Sequence, residues 1–569
     1  MTSRELREKF LSFFEKNGHK IVPSSSLLPS DPTVLFTTAG MQQFKPYYLG
    51  EKSLFGKNAA SCQKCLRISD IDEVGDERHL TFFEMLGNFS FGGYQKEEAI
   101  KLAKEFLDSV GIKIDYVTVF SGDKEVLRDE ESAKIWQKLG FSEEKGTLRF
   151  CGREDNFWGP TGEEGPCGPT TEIYSQDIEV WNIVFNQYYC HKDKSLTELP
   201  LFGVDTGMGL ERLAKVSQNV PTVFETDLFG LIMKEIKGDD LKTKRIIADH
   251  AKSAVFLASE GILPSNLERG YILRRLIRRG IRYGKLLNLS HDFLIPLAKK
   301  VIEIYKDIYP EVLSKEDEII GIIRGEEEKF EKTLEQGLKE FKDYVLRKEP
   351  KGGHAGVARD QMILDGKEAF YLYQTFGFPK EIMQELCKEE NIKFDERGFE
   401  EELKKHQELS RTASAGMFKG GLVDSGEQAV KYHTANHLLL AALRQVLGSH
   451  VLQRGSNITE ERLRFDFSHP DKMTEEEIKK VEDIVNQKIK EGLPVVCEEM
   501  AFNKAKEVGA MGVFESKYGE KVKVYTVGDF SKEICGGPHV NNTSELGHFK
   551  IVKEESSSSG IRRIRAILE

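Results

Sequence analysis

Two arginines and a pair of phenylalanines fall within one stretch, SCQKCLRISDIDEVGDERHLTFFEMLGNFSF, at positions 61–91. Apolar runs, one ending at Arg67 and one starting at His79, flank a charged, glycine-containing segment. That pattern predicts an antiparallel hairpin with a long tip. On a strand residues i and i+4 share a face, so Arg78 and Phe82 are expected to point one way with Arg67 facing them from the partner strand. Guanidinium forks match phosphate oxygens and an aromatic plate matches a base, so the chemistry is that of a nucleoside triphosphate site. The plain alternative is an ordinary hairpin carrying surface arginines. A second stretch, LPLFGVDTGMGLERL (199–213), predicts a glycine-rich turn in which Gly207 and Gly209 let the backbone approach a ligand, followed by a helix that aims Arg212 at it. Its spacing is neither that of a dinucleotide-binding turn nor that of a P-loop.

A separate chemistry sits near the other end of the chain. His433 and His437, at i and i+4 in YHTANHLLLAAL, lie on one helix face, and EICGGPHV supplies Cys535 and His539 about a hundred residues later. Three imidazoles and a thiolate form a four-ligand set suited to zinc. Cys62 and Cys65 make a further CxxC, but no partner pair follows at zinc-finger spacing, and a metal there is disfavoured.

Taken with FTTAGMQQFKPYYLG (36–50) and FWGPTGEEGPCGPTTEIY (157–174), the two arginine stretches resemble the class II aminoacyl-tRNA synthetases, and within them the alanyl-tRNA synthetase family, over nearly the whole chain. The resemblance implies ATP-dependent activation of L-alanine and its transfer to the 3′ end of tRNA(Ala). It implies Arg67 on the α-phosphate, Arg78 and Arg212 on the outer phosphates, magnesium bridging them, and Phe82 or Phe83 under the adenine. Trp158, Asn182 and Asp205 are expected around the amino acid as a size-limiting wall, an amide for the carboxylate and a carboxylate for the ammonium group. Glu172 is expected to hold magnesium or the ribose, or else to be a surface glutamate at a strand end. Asn266, in Pro264-Ser265-Asn266, matches the segment that approaches the acceptor-stem G·U pair. At Gln374 this chain departs from the aspartate usual in the family, which puts strict dependence on that pair in doubt. Residues 429–569 resemble the editing domain of the family, with Gln453 matching an editing residue and Asn436 departing from the usual HTATH. A pocket sized for alanine discriminates weakly against serine and cannot exclude glycine, so hydrolysis of mischarged seryl- and glycyl-tRNA is the expected second activity. The rival readings are a stand-alone deacylase with a decayed synthetase domain and a paralogue that does not charge tRNA.

The elements that must position these residues follow from pattern. The 569 residues, 39% hydrophobic and 31% charged, predict several soluble domains, with no apolar run of membrane-spanning length. Residues 1–20 read as an amphipathic helix, and a short strand is expected around Leu35 and Phe36. Strands are predicted at DYVTVFSG, Thr171–Tyr174 and Ile178–Tyr188, giving an antiparallel sheet flanked by helices rather than a βαβ repeat. From about 230 the pattern turns helical. In 267–285 the residues Arg274, Arg275, Arg278, Arg279 and Arg282 accompany an apolar stripe, and 275, 278, 279 and 282 are expected on one face as a basic stripe for RNA. That stripe is sought because the net charge is −11, which excludes a uniformly basic nucleic-acid-coating protein. Phe330, Leu334, Leu338, Phe341 and Val345 predict one long amphipathic helix. Residues 349–356 are expected as a loop and 411–428 as a linker. The fold class is α+β: a class II catalytic domain (1–230), a helical tRNA-recognition domain (231–410) and an α+β editing domain (429–569). Eight cysteines in so long a chain give no disulfide framework, so a reducing cytoplasm is expected. There is no room for the small β-barrel of typical relatives, and their C-terminal dimerising domain is expected to be missing, which predicts a monomer.

Overall fold

The computed structural model describes residues 1–31, 33–348, 361–415, 426–510, 521–558 and 560–569. These form two compact units, Met1–Arg347 with Phe376–Phe378, and Lys348–Thr375 with Pro379–Glu569. The regions expected to divide near residue 230 therefore share one unit. No helix among the described residues is long and apolar enough to cross a membrane, and all eight cysteines are free.

The first unit is built on a nine-stranded sheet. Its strands are β1 Lys20–Ile21, β2 Asn58–Leu66, β3 Phe82–Phe91, β4 Tyr116–Phe120, β5 Leu148–Cys151, β6 Phe157–Trp158, β7 Gly165–Ser175, β8 Ile178–Cys190 and β9 Leu196–Gly209. The order is β1-β2-β3-β9-β8-β7-β4-β5, with β6 paired to β7. β1–β2 and β4–β5 run parallel, and the other pairs antiparallel.

Strand alternation decides the two faces. On β8 the indole of Trp181 is fully buried against Phe10 and Phe14 of the helix Ser3–Lys16 and Phe106 of the helix Lys96–Ser109. Its neighbour Asn182 turns to the opposite face and lines a cavity. Between sheet and helices lies a buried ionic network. Arg7 forks onto Glu84 of β3 at 3.0 and 2.7 Å, Tyr309 donates to the same carboxylate at 2.9 Å, and Lys252 donates to Glu211 at 2.7 Å. The Glu84 amide donates to Glu211 at 3.1 Å. Each buried carboxylate thus has both a counter-charge and a further hydrogen bond, the condition under which buried ion pairs are tolerated.

Three elements differ from expectation. Leu35 and Phe36 lie in bends: the neighbouring Thr37 amide donates to the Leu27 carbonyl and its own carbonyl accepts from Leu66, so loop partners satisfy the backbone. The Gly203–Gly209 segment is the end of β9, and the helix Leu210–Gln218 follows directly. Glycine serves close packing there, because a Cβ on Gly203 would lie 2.3 Å from the Tyr48 ring. The expected linker is partly helical: the helix Glu396–Ala415 enters it and the helix Glu427–Leu447 starts within it, while 416–425 lies outside the described residues. The loop expected at 349–356 also lies outside them. Phe330, Leu334, Phe341 and Val345 are buried on the helix Glu316–Lys348, as the periodicity predicts.

The second unit contains β10 Ile363–Leu364, β11 Lys393–Phe394, β12 Gln453–Ile458, β13 Leu463–Ser468, β14 Val495–Ala501, β15 Lys521–Val527, β16 Ser531–Ile534, β17 Phe549–Ser558 and β18 Ile561–Leu568. They form a β10–β11 pair, a four-stranded sheet β12-β13-β18-β17 and a three-stranded sheet β14-β15-β16. Leu439, Phe465, Val481, Phe549 and Ile564 belong to the core that joins the helices Glu427–Leu447 and Glu475–Lys490 to the four-stranded sheet.

Candidate functional site

On the open face of the first sheet, register places Glu172 of β7 beside Asn182 of β8, and Asn182 beside Gly207 of β9. Asp205, Gly207 and Gly209 share that face of β9, and Phe83 and Met85 share it on β3, because each set is spaced by two. The row floors a cavity of about 280 Å³ lined by Arg67, Arg78, Phe83, Trp158, Glu172, Asn182, Asp205, Gly207, Gly209 and Arg212. Residues from both arginine stretches and from the 157–174 segment therefore meet in one place.

Phe82 does not join them. It is fully buried, stacked on Phe256 with ring centroids 3.8 Å apart, while Phe83 borders the cavity under the Arg67 guanidinium at 5.1 Å. The reason is that 78–81 is not strand. Thr81 is pinned by its amide and hydroxyl to Asp249 at 2.8 and 2.6 Å, so the i, i+4 argument from Arg78 does not apply.

The cavity's electrostatics are set by burial. Asp205 is fully enclosed, and loss of water pushes its carboxyl up to about 7. Burial, reinforced by the nearby Glu179, pushes Glu172 up to about 8. Glu172 sits in the interior of β7 rather than at a surface end, accepting from Tyr174 at 2.8 Å and from the Asn182 amide nitrogen at 3.1 Å. That leaves Asn182 Oδ1, a buried acceptor, without a partner. Arg212 is held at 2.9 Å by Glu179, a lining residue that pattern reading missed. Its signal was a single acid in the otherwise apolar start of β8. Arg67 is oriented by donating from Nε to the Thr38 carbonyl at 3.2 Å.

The expected RNA stripe is only partly a surface. Arg279 and Arg282 are buried, at 5% and 1% exposure. Arg275 pairs with Asp72 at 2.8 Å and Arg278 with Glu326 at 2.6 Å. A helix packed on both flanks buries its long side chains wherever carbonyls and carboxylates receive them. Arg274 donates to exposed Asn266. In the second unit Gln374 is exposed on the helix Gly366–Phe376.

The second unit gathers His433, His437, Cys535 and His539, with ligand atoms all within 4.8 Å of one another. His433 Nδ1 lies 3.0 Å from the Pro538 carbonyl, His539 Nδ1 3.2 Å from the Thr434 hydroxyl, and His437 Nδ1 3.2 Å from Glu533. On His433 and His539 the oxygen partner fixes Nδ1, and His433 Nε2 faces the Cys535 sulfur at 3.3 Å, the arrangement that orients metal-binding imidazoles, while His437 Nδ1 lies only within ion-pair distance of Glu533. Burial works against a Cys535 thiolate, but hydrogen bonds from His433, His437 and His539 outweigh it and hold the thiol down to about 2. A thiolate and three imidazoles fit a metal ion. Beside them Asn436 donates to Gln453 at 3.4 Å, and Gln453 donates to Ser456 at 3.1 Å. Cys62 and Cys65, three apart on β2, point to opposite faces and cannot share an ion.

Comparison with known proteins matches residues 5–460 to the model of class II (A) tRNA synthetases and 522–565 to the threonyl and alanyl tRNA synthetase second additional domain. The alanine–tRNA ligases of Borreliella afzelii and Treponema denticola are each 48% identical over all of this chain and 100% and 99% of their own. That of Thermotoga maritima is 38% identical over all of this chain and 80% of its own.

Proposed function

The chain belongs to the class II tRNA synthetases, in the alanine–tRNA ligase family, and from that premise we propose how its residues make alanyl-tRNA. It activates L-alanine with ATP to alanyl-adenylate and transfers the alanyl group to the 3′-terminal ribose of tRNA(Ala). No side chain need act as a nucleophile: the alanine carboxylate attacks the α-phosphorus, pyrophosphate leaves, and a ribose hydroxyl then attacks the mixed anhydride. Catalysis is positioning and charge neutralisation. Arg67 sits on the α-phosphate, Arg78 and Arg212 take the outer phosphates, and Phe83 backs the adenine. Trp158 limits the size of the amino acid. Asp205 anchors the ammonium group, and Asn182 Oδ1, its amide nitrogen being engaged by Glu172, serves the same group instead of the carboxylate. Glu172 and Glu179, whose oxygens suit a hard cation, would hold magnesium together with the phosphates, and the ion would supply neutralisation of phosphate charge.

The second unit hydrolyses seryl- and glycyl-tRNA(Ala). His433, His437, Cys535 and His539 would hold zinc, which would supply structural order and a positive charge beside the substrate; Gln453 lines this editing site. tRNA is engaged through Asn266, Arg274, Arg278 and Gln374. The protein works in the cytoplasm.

The observation that carries the reading is the convergence of both arginine stretches and Trp158, Asn182 and Asp205 on one cavity. Alanine-dependent ATP–pyrophosphate exchange tests it. Arg67→Ala is expected to abolish exchange while deacylation of seryl-tRNA(Ala) continues; undiminished exchange would remove Arg67 from the mechanism.

A further inference from the structure

The segment 68–81, which joins β2 to β3, carries Asp70, Arg78 and His79 to the cavity rim. Six of its fourteen residues are charged, and Arg78 itself is exposed. Left to itself such a tip is the least ordered part of a hairpin. Here it is tied down from outside. Arg279 Nη1 donates to the Ile71 carbonyl at 2.9 Å and also meets His250 Nε2 at 2.7 Å. A guanidinium has no acceptor, so His250 must accept at Nε2 and carry its proton on Nδ1, which lies 2.9 Å from Asp249. Asp249 in turn receives both the amide and the hydroxyl of Thr81, where the tip re-enters the sheet. One relay, Ile71–Arg279–His250–Asp249–Thr81, therefore grips both ends of the tip. Arg275 adds the pair to Asp72, next to Ile71, and a Cβ on Gly75 would lie 3.0 Å from Lys242, so the centre of the tip also packs closely on the helix Leu241–Ser259.

Resting on the adenylation reading above, we propose that Arg279 and Arg275 are positioning residues for adenylate formation rather than RNA contacts. They clamp the hairpin tip so that Arg78 and His79 meet ATP in place, with His250 and Asp249 as the buried relay that holds Arg279. The argument is geometric. Arg279 is 5% exposed, and a phosphate reaching it would have to displace the Ile71 carbonyl and His250 together. A phosphate clamp loses rate steeply when its arginine is misplaced by about an ångström, so the clamp acts through precision.

The test is ATP–pyrophosphate exchange without tRNA, beside the Kd for tRNA(Ala), in Arg279→Gln, Arg275→Gln and Asp72→Asn. A clamp predicts a KM for ATP raised roughly tenfold in Arg279→Gln and about threefold in the other two, with tRNA affinity within about twofold of the parent. The swapped pair Asp72→Arg with Arg275→Asp is expected to recover most of the ATP affinity, which loss of fold would not permit. Exchange unchanged in Arg275→Gln and Asp72→Asn would overturn the proposal even if Arg279→Gln failed to fold. So would weakened tRNA binding with exchange intact, the signature of RNA contacts. Absence of alanine-dependent exchange in the parent protein would instead defeat the adenylation reading itself.

Discussion

Asp205, proposed to anchor the ammonium group, has no counter-charge among the described residues, and burial alone raises it to about 7. The protonated form cannot hold an ammonium group, so capture of alanine requires pH above that value. The expected outcome is a kcat/KM for alanine that rises about tenfold per pH unit below 7 and levels off above it, with Asp205→Asn flattening the profile at a much lower value. A profile flat between pH 5.5 and 8 in the parent protein would show that another group takes the ammonium. The same shift has a stability sign. Because the folded carboxyl binds its proton more tightly than the unfolded one, Asp205 makes the native state less stable as pH rises from the ordinary carboxylate value toward 7. The arginines of this cavity are legible from their chemistry, as forks suited to phosphate, whereas Trp158, Asn182 and Asp205 are legible only through the family resemblance, since a lone tryptophan, asparagine or aspartate has many ordinary places in a fold. Phe82 is not legible, because its face depends on where β3 begins, and that is set by Asp249, 168 residues away. The arginine stripe is only partly a surface, with Arg279 and Arg282 buried, for a related reason. Helical spacing fixes which residues share a face but not whether that face meets water or a carbonyl such as that of Ile71.

At the scale of elements, the sheet holds its floor through charges kept out of water. β3 and the helix Leu210–Gln218 meet at Glu84 and Glu211, two carboxylates brought together under the cavity and balanced by Arg7 and Lys252. Lys252 is fully buried and also lies 4.4 Å from the Phe229 ring centroid. Removing one partner of such a pair is much worse than removing both. Lys252→Met is therefore expected to destabilise the first unit by about 3–5 kcal/mol, and adding Glu211→Gln to recover a large part of that loss in a double-mutant cycle read by denaturant unfolding. Additive losses would show that the two side chains act independently. The hairpin, the central strands and the helices were legible as elements, since periodicity reports them directly. The extension of β9 through a glycine-rich run was not, because glycine there answers to Tyr48 and Met85, which approach from elsewhere in the chain.

For the molecule as a whole, the function proposed above has the first compact unit make the ester and the second check it. His433 and Cys535, 102 residues apart, are brought to 3.3 Å, so a metal there closes a long segment of the second unit. A zinc-selective chelator, used with magnesium in excess, is expected to lower the melting temperature of the second unit by roughly 5–10 °C and to abolish deacylation. Pyrophosphate exchange, which belongs to the first unit, should continue; a common loss of both would mean that the units do not act separately.

The hydrogen bond from Tyr309 to Glu84 spans 225 residues, and the ion pair between Lys64 and Glu311 spans 247. On the ribosome, β2 and β3 are therefore made long before the residues that neutralise and cover them. A nascent chain that has emerged only as far as residue 300 carries all nine strands of the first sheet but lacks the last partners of Glu84 and Lys64. Closure of the first unit thus waits for synthesis of the helical region, and contacts of this sequence separation make for slow folding. A stall or a rare-codon cluster just before Tyr309 would prolong the interval in which that unfinished unit needs a chaperone.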